Sequence, residues 1–370
     1  MAEVEPLVYR IAFSQLKGMN STLAGEFLSR IGSEEAFFES SERSLASAMG
    51  FNNKIFNSAY RTDMLERARR EADFITSNGI KALYYTDPQY PRRLSEVQDA
   101  PILIYTLGNC DFNSGYFLAV VGTRHATPYG IDFVNKLMAS LSAKLAEPVT
   151  IVSGLAFGID AAAHAAALKN SLPTIGVLAH GLNTIYPAQH RSLAADMVRS
   201  AGMLVTEYTS QDAVHKGNFI ARNRIVAGLC DCTLVVESAS KGGALITARL
   251  ASGYDRDVFA LPGRTSDRYS KGCNALIASQ TASLIEDADG LIDAMRWSRK
   301  PDEGEQPALF TPLNEDEERV IEFLRNKGEA HITQLTMAMN MSVARMMALM
   351  IDMEFKGLVL TFPGGKYRPA

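Results

Sequence analysis

Thr150-Ile151-Val152-Ser153-Gly154-Leu155-Ala156-Phe157-Gly158-Ile159-Asp160-Ala161-Ala162-Ala163-His164 reads as a strand, a glycine turn and the start of a helix. Thr150, Ile151 and Val152 are β-branched, Gly154 and Gly158 punctuate the run, and a helical pattern continues to Leu168. The same grammar repeats on both sides. Phe117 to Val121 ends at Gly122, Thr174 to Ala179 stops just before Gly181, and Met203 to Thr206 ends at Glu207. Thr233 to Val236 ends at Glu237, and Val258 to Ala260 stops just before Pro262-Gly263. Helical segments such as Ile131 to Leu145 and Ala244 to Ser252 lie between most of these strands. Strands alternating with helices predict an α/β domain, a doubly wound parallel sheet covered on both faces. Ligands of such sheets bind at the carboxyl ends of the strands, where the glycines, Arg124, Asn183, Glu207 and Glu237 gather.

Residues 1–85 are expected to form a helical module. From Val4 to Ser77 short amphipathic segments break at Gly18, Gly32 and Gly50, with no strand-like alternation. Leu16-Lys17-Gly18-Met19-Asn20 hints at a helix-hairpin-helix, although Asn20 stands where that hairpin usually has its second glycine. The α/β domain should span 86–297. A charged stretch rich in Pro and Gly, 298–313, reads as a linker. Residues 314–370 carry three helical segments and a terminal hairpin, the outline of a winged helix. The helix that would recognise a ligand there, Ser342 to Met350, has one cation, Arg345, and the methionines Met346, Met347 and Met350. That composition suits an adaptable apolar contact better than a phosphate backbone.

The net charge of −4 argues against a globally basic nucleic-acid binder. The charge is local, however: nine acidic and five basic residues fall between Ser298 and Ala330, so the rest of the chain is formally neutral and leaves room for a basic groove. Cys110, Cys230, Cys232 and Cys273 make no CxxC pair and the six histidines make no HExxH motif, so no metal, zinc site or disulfide frame is expected. No apolar run is long enough for a membrane span, and the first residues lack a signal pattern, so a cytoplasmic protein is expected.

Gly122-Thr123-Arg124 places a cation and backbone amides where an anion could dock, but GxGxxG spacing is absent, which argues against NAD and leaves no cofactor indicated. Asp160 and His164, four apart on one helix face, pose the question of an acid/base pair. No nucleophile stands beside them, so a structural role is favoured, and Gly154 and Gly158 are read as letting backbone amides approach a phosphate. Lys241-Gly242-Gly243 opens a helix without the GKS or GKT of a P-loop, which leaves a phosphate nest or a close-packing turn. His215-Lys216-Gly217-Asn218-Phe219-Ile220-Ala221-Arg222-Asn223-Arg224 gathers cations and an aromatic ring where a helix is expected to begin near Asn218. Arg222 and Arg224 are either binding residues or structural ones paired with Glu207 or Glu237. A groove of cations with a stacking ring is how single strands are held without sequence readout.

These motifs, together with Tyr90-Pro91, Tyr186-Pro187 and Leu261-Pro262-Gly263, resemble the DprA/Smf family of DNA-processing proteins of natural transformation, from about Tyr90 to Ile285. The resemblance implies an extended Rossmann-like domain, flanked by a helical module of SAM or helix-hairpin-helix type and a DML1-like winged helix. It implies a non-enzymatic protein that binds and protects single-stranded DNA, dimerises through the Rossmann-like domain, and loads the RecA recombinase. By position, Arg124 and Lys216 match backbone-contacting cations, Phe219 the stacking ring, and Arg222, Asn223 and Arg224 an RNR motif. Gly122, Gly154 and Lys241 complete the expected DNA-binding set. The chain departs from the family at Gly242, where Ser is usual, and at Gln280-Thr281, where Gly-Ala is usual, near the region associated with dimerisation. A contrasting reading is a nucleotide-processing enzyme resembling the phosphoribohydrolases, with Asp160 or Glu237 at its centre.

Overall fold

All six expected strands occur, as the middle of one nine-stranded sheet. The computed structural model describes residues 4–301, 313–356, 358–362 and 364–369; the part of the expected linker from 302 to 312 lies outside the described residues. Two units divide the chain, residues 1–300 and 301–370.

The first unit begins with α1 (Val4–Ser14), α2 (Ser21–Ile31), α3 (Glu34–Glu39), α4 (Glu42–Met49) and α5 (Ser58–Ser77). Then follow β1 (Lys81–Tyr84), α6 (Arg92–Ser95), β2 (Leu103–Gly108), β3 (Tyr116–Val121), α7 (Pro128–Lys144), β4 (Val149–Ser153), α8 (Ile159–Lys169) and β5 (Thr174–Val177). The unit continues through α9 (Arg191–Arg199), β6 (Met203–Thr206), α10 (Lys216–Ala221), α11 (Asn223–Gly228), β7 (Cys232–Val235) and α12 (Ala244–Gly253). It closes with β8 (Asp257–Ala260), α13 (Lys271–Ala278), β9 (Ser283–Leu284) and α14 (Ala288–Met295).

The sheet order is β1-β2-β6-β5-β4-β3-β7-β8-β9. From β6 to β9 every pairing is parallel, for example Ala119 with Val152 and Val121 with Val235. Central strands β4, β5 and β7 are buried along their whole length, as expected where helices cover both faces. Alternation along β3 feeds two cores. Phe117, Ala119 and Val121 join the apolar residues of α11 and α12, whereas Leu118 and Val120 join those of α7, α8 and α14.

Two findings depart from the expected all-parallel sheet. Strands β1 and β2 pair with each other, and β2 with β6, in antiparallel fashion. Strand β2 ends at Gly108, but a loop without a helix carries the chain on to β3. The helical module also shares its core with the sheet: Phe13, Phe37 and Phe56 pack in one cluster with Tyr84, Ile102 and Tyr105. Residues 81–84, placed by the sequence in the module, are therefore the edge of the sheet. Within the module the buried Arg61 guanidinium is satisfied by the Phe56, Phe37 and Phe38 carbonyls at 3.0, 2.6 and 2.8 Å. Asn20 caps α2, its side chain accepting from Leu23 N at 2.9 Å.

The second unit contains α15 (Glu315–Lys327), β10 (Ala330–His331), α16 (Ile332–Met339), α17 (Val343–Phe355), β11 (Val359–Phe362) and β12 (Lys366–Pro369). Its strands form a three-stranded antiparallel sheet ordered β10-β12-β11. Helical periodicity corrects the reading of the α17 methionines. Met346 and Met350 lie with Met353 on the inner face and are fully buried, so only Met347 joins an outward apolar row with Val343, Ile351 and Phe355. Arg345, the cation expected there, is paired with Asp316 at 2.8 Å.

Candidate functional site

Strand β3 has β4 on one side and β7 on the other, so chain order reverses there. Such a switch point opens a crevice beyond the carboxyl ends of the strands. A cavity of about 280 Å³ occupies it, lined among others by Gly122, Arg124, Gly154, Arg222, Asn223 and Gly242.

Arg222 forms the floor. It separates α10 from α11, is 4% exposed, and donates through Nη1 to Gly154 O at 2.7 Å and to Val177 O. These carbonyls belong to the ends of β4 and β5, so the arginine ties two strands together. A Cβ at position 154 would stand 2.6 Å from the guanidinium carbon, which accounts for glycine there. Burial lowers the pKa of Arg222, and Asp160 opposes that shift. Burial likewise raises the Asp160 carboxyl, opposed by the Arg222 charge and by hydrogen bonds from Gly154 N at 3.1 Å and Ala156 N at 3.3 Å. Arg224 takes the other alternative: its Nη2 donates to Glu207, with each side chain less than one-fifth exposed. Glu237 pairs with no arginine among the described residues. It accepts from Thr127 N at 2.9 Å and Thr127 Oγ1 at 2.6 Å, and so fixes the start of α7.

Arg124 and Phe219 make the mouth. Arg124 is exposed, makes no ion pair among the described residues, and stands 5.7 Å from the centre of the half-exposed Phe219 ring. Tyr186 meets that ring edge-on, 5.5 Å away at 64°. Sequence reasoning gave Tyr186 no role, although an exposed aromatic beside Pro187 in a strand-end loop was a usable signal. Gly158 holds the two loops together: at φ +79° it approaches the Thr123 and Arg124 backbone so closely that a Cβ would lie 2.7 Å from the Arg124 carbonyl carbon. Lys216 is the exposed first residue of α10, which begins two residues before the expected start. Lys241 is exposed but does not line the cavity. Of its glycines, Gly242 packs against Ser238, whereas a Cβ at Gly243 would meet open space, so close packing explains only the first.

Asp160 and His164 share a helix but do not bond to each other. Thr174 Oγ1 donates to Ile151 O at 2.9 Å, so the 2.7 Å contact between His164 Nδ1 and Thr174 Oγ1 is donated by the imidazole. The unprotonated Nε2 is then buried without a partner. Burial, with the nearby His190 and Arg222, pushes the pKa of His164 down to about 3. The unfolded chain therefore takes up this proton first, and stability from His164 is complete above the ordinary value near 6.5 and is lost as pH falls toward 3. Between pH 6.5 and 5.5 this group alone should cost about 1 kcal/mol. Urea titrations should show that a His164→Asn variant lacks this component; an equal pH dependence in both proteins would refute it. Nearby, Ser153 Oγ donates to Val120 O at 2.6 Å and is fully buried.

Fold and site define a class: a doubly wound α/β protein whose switch-point crevice holds cations and an aromatic ring in place of a nucleotide fingerprint. The chain belongs to the DNA recombination-mediator protein A family, whose model matches residues 81–296. It is 30% identical to the protein Smf of Synechocystis over 97% of this chain and 98% of that one. Among solved structures, DNA processing protein A of Streptococcus pneumoniae is similar at 32% identity and a TM-score of 0.65, over 77% of this chain and 96% of that one. The Helicobacter pylori protein of the same name, described for its unique mode of binding single-stranded DNA, is similar at 28% identity and a TM-score of 0.52, over 59% of this chain and 95% of that one. No helix among the described residues is long and apolar enough to cross a membrane.

Proposed function

We propose that this protein binds single-stranded DNA through the crevice, protects strands entering the cell, and loads RecA recombinase on them during DNA uptake. It acts as a homodimer through the Rossmann-like domain, without catalysing a reaction. One observation carries the reading: Arg124 makes no ion pair among the described residues and stands beside the half-buried Phe219 at the mouth of a crevice whose floor, Arg222, already donates to the Gly154 and Val177 carbonyls. A phosphate can take the cation while a base takes the ring. The description of the Helicobacter pylori relative supports the same ligand. Lys216 adds a second backbone contact, and Gly122 and Gly154 admit the strand to the crevice. Asn223, which lines the cavity, is its polar contact. Arg222 and Arg224 serve the site chiefly as its scaffold. The second unit is read as a winged helix that contacts protein, since the outer row of α17 is apolar.

Titration of labelled single-stranded and duplex DNA at several salt concentrations tests this. Single strands should bind more tightly, with affinity falling steeply as salt rises, and Arg124→Ala should weaken all sequences about equally. The chain ending at residue 300 should retain affinity within about tenfold. Equal affinity for both forms, or indifference to salt, would refute the reading.

A further inference from the structure

The loop from β8 to α13, Gly263 to Ser270, borders the crevice. Tyr269 O accepts from Ser238 N at 2.6 Å, and Ser238 lines the cavity. Just past the loop Gly272 N donates to Ser238 O at 2.8 Å, and a Cβ at Gly272 would lie 2.6 Å from Ala239 O, so the loop's end is held against the crevice wall. Its side chains repeat the composition of the mouth. The Tyr269 ring lies 6.2 Å from that of His125, nearly parallel at 23°, and His125 follows Arg124 in the chain. The Arg268 guanidinium stands 5.6 Å from the centre of the Tyr269 ring. Arg264, Arg268 and Lys271 are exposed and form no ion pair among the described residues. The loop's single carboxylate, Asp267, is exposed, and its side-chain contact is a 3.4 Å hydrogen bond from Ser266. Some exposed arginines elsewhere are taken up by carboxylates, as Arg299 is by Asp289 and Asp293 and Arg368 by Glu329, whereas the three cations of this loop are left to solvent. Lys241, exposed in the loop that follows Ser238, adds a fourth cation to this side.

We propose that this loop is a second single-strand contact, reached by nucleotides that leave the crevice past Arg124. Phosphates lie on Arg264, Arg268 and Lys271, and a base stacks on the Tyr269 and His125 rings. The inference rests on the single-strand reading of the crevice and extends it from a pocket to a track. A track implies a length dependence that a pocket does not, because a short oligonucleotide fills the crevice alone whereas a longer one also spans the loop.

The test compares oligo-dT of about 6 and about 20 nucleotides by fluorescence anisotropy, lengths that bracket common single-strand site sizes. The triple variant Arg264→Ala, Arg268→Ala, Lys271→Ala should lose roughly tenfold or more on the long strand near 0.15 M salt and be unchanged on the short one. Its slope of log affinity against log salt on the long strand should flatten by about 2, three phosphates at roughly 0.7 each. Tyr269→Ala, which keeps the backbone bond to Ser238, should lose roughly fivefold on the long strand only. Wild-type behaviour of both variants on the long strand, while Arg124→Ala is defective on both lengths, would overturn the track and leave the crevice reading intact. Equal losses on both lengths would also overturn it. Failure of the unaltered protein to bind either strand would remove the crevice reading and the track together.

Discussion

Arg222→Met should destabilise the first unit by about 3 to 5 kcal/mol, the usual cost of removing one partner from a buried charged network. The guanidinium is 4% exposed and donates to carbonyls at the ends of β4 and β5. Methionine fills much of its volume but leaves both carbonyls short of a donor and the buried Asp160 without the charge that opposes its desolvation. Lysine is a poor substitute, since one ammonium cannot reproduce the planar fork of donors. Denaturant unfolding of the chain ending at residue 300 would measure the loss. Asp160→Leu added to Arg222→Met should recover part of it, because the second change removes the stranded carboxylate. A variant within about 1 kcal/mol of wild type that nonetheless binds single strands tenfold more weakly would assign Arg222 to the binding surface instead.

Phe219→Ala should leave stability nearly unchanged and weaken single-strand binding by about 1 to 3 kcal/mol, roughly 5- to 150-fold. Its ring is outside the apolar cores, half-exposed, and positioned edge-on by Tyr186 while Arg124 stands near its face. One base inserted beside Arg124 would exchange water for a ring face and a cation at once. Phe219→Trp should retain most of the affinity, since stacking tolerates any flat ring. Unaltered affinity in Phe219→Ala would place the bases elsewhere.

The difference between these variants could not be read from the sequence. Arg124, Lys216, Phe219, Arg222 and Arg224 look alike there, as cations and a ring at strand ends or a helix start. The fold separates them. Arg124 follows a strand end into an exposed loop, whereas Arg222 falls at the junction of two short helices, the second of which buries its apolar residues against the sheet. Glu207 and Glu237 follow β6 and β7, strands consecutive in the chain and similar in local sequence but separated by three others in the sheet, and one holds Arg224 and the other the Thr127 turn. That choice depends on which loops the sheet order brings together.

By itself the sequence determined the six parallel strands, their helices and the end of the sheet where the glycines and Arg124 gather. Those features follow from local causes: β-branched runs, glycine turns and helical periodicity act over a few residues. Tertiary structure alone decided the antiparallel pair β1 and β2, the core shared by the helical module and the sheet, and the partners of the buried arginines. It also decided that Tyr186 meets Phe219 and that Tyr269 meets His125, pairs far apart in the chain. Contacts of that kind are set by packing and by the need to satisfy each buried charge, and no local pattern encodes them.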